Sequence, residues 1–254
     1  MPPAQESINR LLADLRLDTP IIAVSDAEPG PLYEPLVHAR GGTCCFAYYE
    51  RWLKGETLVV ERDRGGFDNP QHGCPGGQSA LGLADGYPPW MAHFLTDGQG
   101  APMGEGLKAT PDLAQAFLDR SQPPEPGGDS VLIGPLKLEG WSAVRSLTFL
   151  VDPDRLSALL TLVGFWSDGI ETAAPFSSGC GLLWRELLMQ ERDMAVLGAT
   201  DIAMRKYLPP EILALTVSPA RFERMLGYPD SAFLRRSWWQ GLLDSRQKAR
   251  GPVE

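Results

Sequence analysis

All four cysteines of the chain stand in three stations set among glycines or other small residues: Thr43-Cys44-Cys45-Phe46, His72-Gly73-Cys74-Pro75-Gly76-Gly77 and Ser178-Gly179-Cys180-Gly181. None lies inside an apolar run. Small neighbours let the backbone approach a bulky group closely and leave a thiol accessible. Iron–sulfur clusters take thiolates from positions far apart in sequence, and zinc asks for tetrahedral closure by Cys or His. The candidate metal ligands are Cys45, Cys74 and Cys180, with Cys44 as the alternate to Cys45 and His72 as a further candidate. Successive helical residues point about 100° apart, so only one of the vicinal pair is expected to bind. Three ligands with an open fourth position suit Lewis-acid or redox-linked chemistry. The alternative is a metal-free small-molecule binding module. There Gly76 and Gly77, at a helix start, offer backbone N–H groups to an anion.

Competing chemistries lack their residues. The chain has no Walker A loop, no Gly-x-Gly-x-x-Gly turn after a strand, no Gly-x-Ser-x-Gly elbow and no His-Glu-x-x-His. It has no Cys-x-x-Cys pair and no ferredoxin-type cysteine run. Only three histidines are present, His38, His72 and His93, too few for a histidine-rich metal site. Net charge is −9 and no basic stripe offsets it, so no nucleic-acid partner is expected. Arg235, Arg236, Arg246, Lys248 and Arg250 near the C-terminus read as a solvated helix end. No apolar run is long enough to span a bilayer, and residues 1–7 show no signal-peptide pattern. The expected compartment is the cytoplasm, where thiols stay reduced.

The elements that must position these stations follow from periodicity and punctuation. Ile8, Leu11, Leu12 and Leu15 predict a helix over 5–17, and residues 20–24 read as a buried strand. Residues 26–42 read as a long loop. Thr43 predicts the cap of a helix over 44–54, with Gly55 as its stop and a short strand at 57–60. Helices are expected at 89–95 and 111–118. Residues 122–128, rich in Pro and Gly, divide the chain into halves of about 1–126 and 129–245 within a single domain over 1–254. The second half carries a weak repeat. In each copy two strand-like runs precede an Asp-Pro or Ser-Pro helix opening, at Asp152-Pro153 and Ser218-Pro219. The expected fold is therefore α/β (α+β), with a mixed sheet and two ββα-like units whose helices, 153–165 and 219–226, pack on one face. Trp238 and Trp239 predict a core-closing helix around 231–245.

Several of these segments together resemble the DUF169 family, a group of bacterial and archaeal proteins of unassigned function. The resemblance runs through His72-Gly73-Cys74-Pro75-Gly76-Gly77 with Leu81-Gly82-Leu83, and through residues 105–111 and 151–163. It continues at Ala174-Pro175-Phe176-Ser177-Ser178-Gly179-Cys180 and at residues 198–201 with Arg205 and residues 207–209. The three cysteine stations fall on segments that resemble the family's cysteine positions, with the doubling at Cys44-Cys45 as a departure. The family carries no established chemistry, so the resemblance implies the fold and one place for the thiols; from the cysteines themselves, an iron–sulfur cluster of 4Fe–4S type is the expected cofactor, or none in the alternative. Gly76, Gly77, Asp201 and Arg205 are the candidate ligand-binding residues. A small molecule or redox protein is the expected partner, without nucleic acid or membrane, and self-association is compatible.

Overall fold

A computed structural model describes residues 1–65, 67, 70–99, 104–120, 128–167, 172–173, 193, 195–198 and 200–250. In chain order its elements are α1 (Gln5–Leu15), β1 (Ile22–Ser25), β2 (Leu36–His38), α2 (Tyr49–Leu53), β3 (Thr57–Glu61), α3 (Pro75–Ala80), α4 (Met91–Phe94) and α5 (Pro111–Arg120). There follow β4 (Ser130–Pro135), β5 (Val144–Val151), α6 (Pro153–Val163), β6 (Thr172–Ala173), β7 (Ala195–Gly198), β8 (Leu213–Val217), α7 (Pro219–Leu226) and α8 (Ser237–Arg250). The strands form one mixed sheet in the order β2-β3-β4-β1-β5-β8-β7-β6, parallel at both edge pairs and antiparallel between them. The chain is thus a single compact α/β domain. No described helix is long and apolar enough to cross a membrane.

Strand residues alternate between two faces, as a pleated sheet requires. On the first face Ala23, Leu147, Phe149, Leu215 and Val217 pack with α1, α6, α7 and α8. On the second, Ile22, Val24, Leu58, Val60, Ile133 and Ala214 pack with the turns that carry the cysteines. The second face also holds hydroxyls: the side chains of Thr148 and Thr216, opposite one another on β5 and β8, lie 2.8 Å apart in a buried hydrogen bond.

The repeat has a structural mechanism. Both helices after β5 and β8 open alike: the Asp152 carboxylate accepts from Arg155 N and the Ser218 hydroxyl accepts from Arg221 N, with Pro at the first turn. The arginine in each copy then reaches the end of an earlier helix. Arg155 donates to the carbonyls of Leu15 and Arg16 at the end of α1, and Arg221 donates to Val163 O at the end of α6. Each guanidinium so satisfies carbonyls that a helix terminus leaves open. Both helices follow strands of one sheet and cover one face. In space, however, β4 is not the neighbour of β5: β1 lies between them, antiparallel to both. The partner pair matching β7–β8 is therefore β1–β5, a long-range pairing that local pattern does not encode.

Other boundaries moved for local reasons. Helix α1 ends where Arg16 takes a left-handed conformation and its N–H bonds Ala13 O, two residues short of the expected end. The expected helix over 44–54 splits into a 3₁₀ turn, Cys45–Tyr48, and α2, with Cys44 rather than Thr43 at the cap. Residues 26–42 contain a 3₁₀ turn, Pro31–Tyr33, and the edge strand β2. At the C-terminus a 3₁₀ turn, Phe233–Arg235, precedes α8, which buries Trp239 and leaves Trp238 exposed. The punctuation at 122–127 lies outside the described residues.

Candidate functional site

The first two cysteine stations meet because two glycine loops are stitched together. Gly42 N–H donates to Gly73 O at 3.1 Å. A Cβ on Gly41 would stand 2.0 Å from Pro70 O, so only glycine permits this approach. A Cβ on Gly73, whose φ is +112°, would lie 3.9 Å from Thr43 O. Thr43 and Gly73 are therefore neighbours, and Cys44 and Cys74 follow them directly in the chain. Both cysteines are half-buried against the same apolar cluster on the second face of the sheet. Cys45 lies deeper: it is buried in that cluster, with Phe46 and Trp52. The structure thus leaves Cys44 accessible and makes Cys45, the preferred ligand by sequence, part of the core. Cys180 and Gly179 lie outside the described residues.

Cys74 is the N-cap of α3, and its Sγ accepts a hydrogen bond from Gly77 N at 3.2 Å. That amide is engaged by sulfur rather than open to an anion. Gly76 lies where a Cβ would meet Met91 Cε at 3.5 Å. The loop before Cys74 is held by Gln78, almost fully buried, whose Nε2 donates to Glu61 O and His72 O and whose Oε1 accepts from Asp63 N. Asp63 in turn accepts from the backbone amides of Gln71 and His72. His72 directs its Nδ1 to Glu61 Oε2 at 3.3 Å, an oxygen it shares with His38 Nδ1 at 3.2 Å. The histidine offered as a further metal ligand is thus part of a latch at the end of β3.

Two carboxyl groups complete the neighbourhood. Residues 104–108 are pinned along α4 by backbone bonds from Glu105, Gly106 and Leu107 to the carbonyls of Phe94, Thr96 and Leu95. Gly104 is held so tightly that a Cβ would come within 2.4 Å of three backbone atoms. This fixes Glu105, half-buried, within electrostatic reach of Asp201, Cys44 and Lys206. Burial, then the charge of Asp201 and, less strongly, Cys44 push the Glu105 carboxyl up to about 7, against the opposing pull of Lys206. Asp201 is buried and accepts from Ala203 N at 2.8 Å. Arg205 belongs elsewhere: its guanidinium donates to the carbonyls of Pro209, Pro210 and Ile212 and, among the described residues, makes no ion pair with Asp201. Of the residues nominated from sequence, Cys44, Cys74 and Asp201 share one region, and Glu105 joins them unannounced. A lone glutamate between glycines carries no spacing signal. Among the described residues, no group of three or more His, Cys, Asp or Glu side chains is placed to hold a metal ion.

The raised Glu105 carboxyl gives a pH signature. The unfolded chain ionises near the usual 4.5, whereas the folded chain keeps its proton to about 7. The stability due to this group is fully present below 4.5 and is lost as pH rises through about 7. Glu105→Gln is expected to remove that slope, so its urea midpoint gains on the wild type between pH 4.5 and 8. A difference between the two proteins that stays constant with pH contradicts the placement.

The sequence model of the DUF169 family, described as Uncharacterised ArCR, matches residues 10–227. No curated protein and no solved structure matches the chain. The matched span takes in both stitched cysteine loops, Glu105, Asp201 and the paired Asp152-Pro153 and Ser218-Pro219 helix openings, and the chain belongs to the DUF169 family.

Proposed function

We propose that the chain is a thiolate-metal protein of iron–sulfur type, with Cys44, Cys74 and Cys180 as its ligands. The observation that carries this reading is the stitching of the Gly41-Gly42 and Pro70–Gly73 loops, which brings two cysteine stations to one place with both thiols half-exposed. Cys44 replaces Cys45 in the ligand set because Cys45 is in the apolar cluster. The described residues do not close a metal site by themselves, so the reading requires a third ligand, and Cys180 is the remaining cysteine. Asp201, the charged neighbour that helps hold the proton on Glu105, adds negative charge that a bound cation would offset. A cluster held by three thiolates keeps one position open for redox-linked or Lewis-acid work on a small molecule. The chain's own part is to hold the thiols and to keep a proton on Glu105. A reducing compartment such as the cytoplasm, and a redox protein or small molecule as partner, fit thiols kept reduced. The metal-free reading loses ground because the Gly77 amide it needs is bonded to Cys74 Sγ.

The test is iron retention after anaerobic purification of single variants. Cys44→Ser, Cys74→Ser and Cys180→Ser are each expected to lose bound iron, whereas Cys45→Ser keeps it and pays only in stability. Retention of iron in Cys44→Ser with loss in Cys45→Ser would return the ligand role to Cys45. Retention in all four would refute the site.

A further inference from the structure

We infer that Cys44 and Cys74 form a redox pair: peroxide closes a disulfide between them and so withdraws both thiols from the site. The bridge needs only the stitched loops. Its consequence for a bound metal rests on the function proposed above.

Three observations support it. Thr43 and Gly73 stand side by side, and Cys44 and Cys74 each follow this contact by one residue. Both side chains are half-buried and neither is in a disulfide, so each is an oxidisable thiol within reach of solvent. Cys74 Sγ is held in place by Gly77 N–H, whereas Cys45, next to Cys44, is buried among Phe46, Trp52 and Val60. The vicinal cysteine is therefore the wrong partner twice over. It is inaccessible, and a bridge between Cys44 and Cys45 would require a strained ring.

The chemistry balances with peroxide as the oxidant. One thiolate attacks an oxygen of hydrogen peroxide, the O–O bond breaks, and hydroxide leaves to be protonated to water. The sulfenic acid so formed is attacked by the second thiolate. The S–S bond forms, the S–O bond breaks, and a second water departs. Two thiols and one peroxide become one disulfide and two waters.

The experiment treats the reduced, metal-free full chain with one equivalent of hydrogen peroxide and maps the tryptic peptides by mass. The expected result is a loss of two titratable thiols per chain and a linked product joining the peptide of residues 41–51 to the one carrying Cys74. Dithiothreitol should reverse it. Cys45→Ser should still form the link and Cys44→Ser should not. A link that survives Cys44→Ser, a link to the Cys180 peptide instead, or oxidation without any link would overturn the inference. Iron content of untreated protein is read separately. Iron-free protein that still closes the bridge would defeat the metal reading alone, and iron-bound protein whose stripped form does not close it would defeat this one alone.

Discussion

Asp14→Ala is expected to destabilise the chain by about 3 kcal/mol, lowering the melting temperature by roughly 6–12 °C. Asp14 is a buried carboxylate on α1. Its Oδ2 accepts from the hydroxyl of Tyr228 at 2.8 Å and its Oδ1 accepts from Arg235 at 2.9 Å. Tyr228 is 1% exposed, and Arg10 lies over its ring at 4.1 Å. Burial, reinforced by the bond to Asp14, pushes the Tyr228 phenol up to about 12, so it remains a donor at every working pH. Removing the carboxylate strands that hydroxyl without water, and an unsatisfied buried donor is what makes the loss large. The main-chain oxygen of Asp14, which accepts from Trp239 and Gln240, is untouched by the substitution. Adding Tyr228→Phe to Asp14→Ala should therefore cost little more, since the stranded donor disappears with it. Thermal melts of the two single variants and the double variant read this directly. A loss below about 1 kcal/mol for Asp14→Ala would show that the hydroxyl finds another partner.

Arg221→Met is expected to cost about 3 kcal/mol, because it removes a buried guanidinium and leaves the carbonyls of Val163 and Asp193 without their donors. Arg221 is 1% exposed, with its Nε 2.5 Å from Asp193 Oδ1 and its other nitrogens on Val163 O and Asp193 O. Methionine fills similar volume, so the loss reports the polar contacts rather than a cavity. Its counterpart Arg155 is 18% exposed and bonds Leu15 O, Arg16 O and Asp152. Arg155→Met should act in the same direction but by less, because the Arg155 guanidinium is itself partly exposed and its bonds already compete with water. Urea denaturation ranks the two variants. Equal effects, or a larger one at Arg155, would contradict the inference that burial separates the two copies.

The residues that made this fold readable are those whose signals are local. Asp152-Pro153 and Ser218-Pro219 announce their helices because cap and proline act within one turn, and α7 begins and ends where its pattern says. The insertion of β1 between β4 and β5 was not readable, since strand order depends on contacts more than a hundred residues apart. At the site, the small-residue setting of Cys44 and Cys74 was read as room for a bulky group, whereas the close approach the structure shows nearby is of backbone to backbone, at Gly41 against Pro70. The same reasoning could not tell Cys44 from Cys45. Their difference arises from a 3₁₀ turn that buries the second of the pair, and the expected α-helix would have oriented both differently. Glu105 was missed because its character comes from burial and from Asp201, nearly a hundred residues away, and not from any neighbour in sequence. Arg205 was nominated beside Asp201 as a ligand-binding residue, but the segment folds as turns and the guanidinium closes on carbonyls instead.

The most direct measurement is iron and acid-labile sulfide per chain in wild-type protein purified without oxygen, read alongside its visible spectrum. The thiolate-metal reading predicts coloured protein with iron and sulfide in matching amounts, both lost together on chelation. Colourless protein that carries neither, and that takes up neither when iron and sulfide are supplied under reducing conditions, would contradict it.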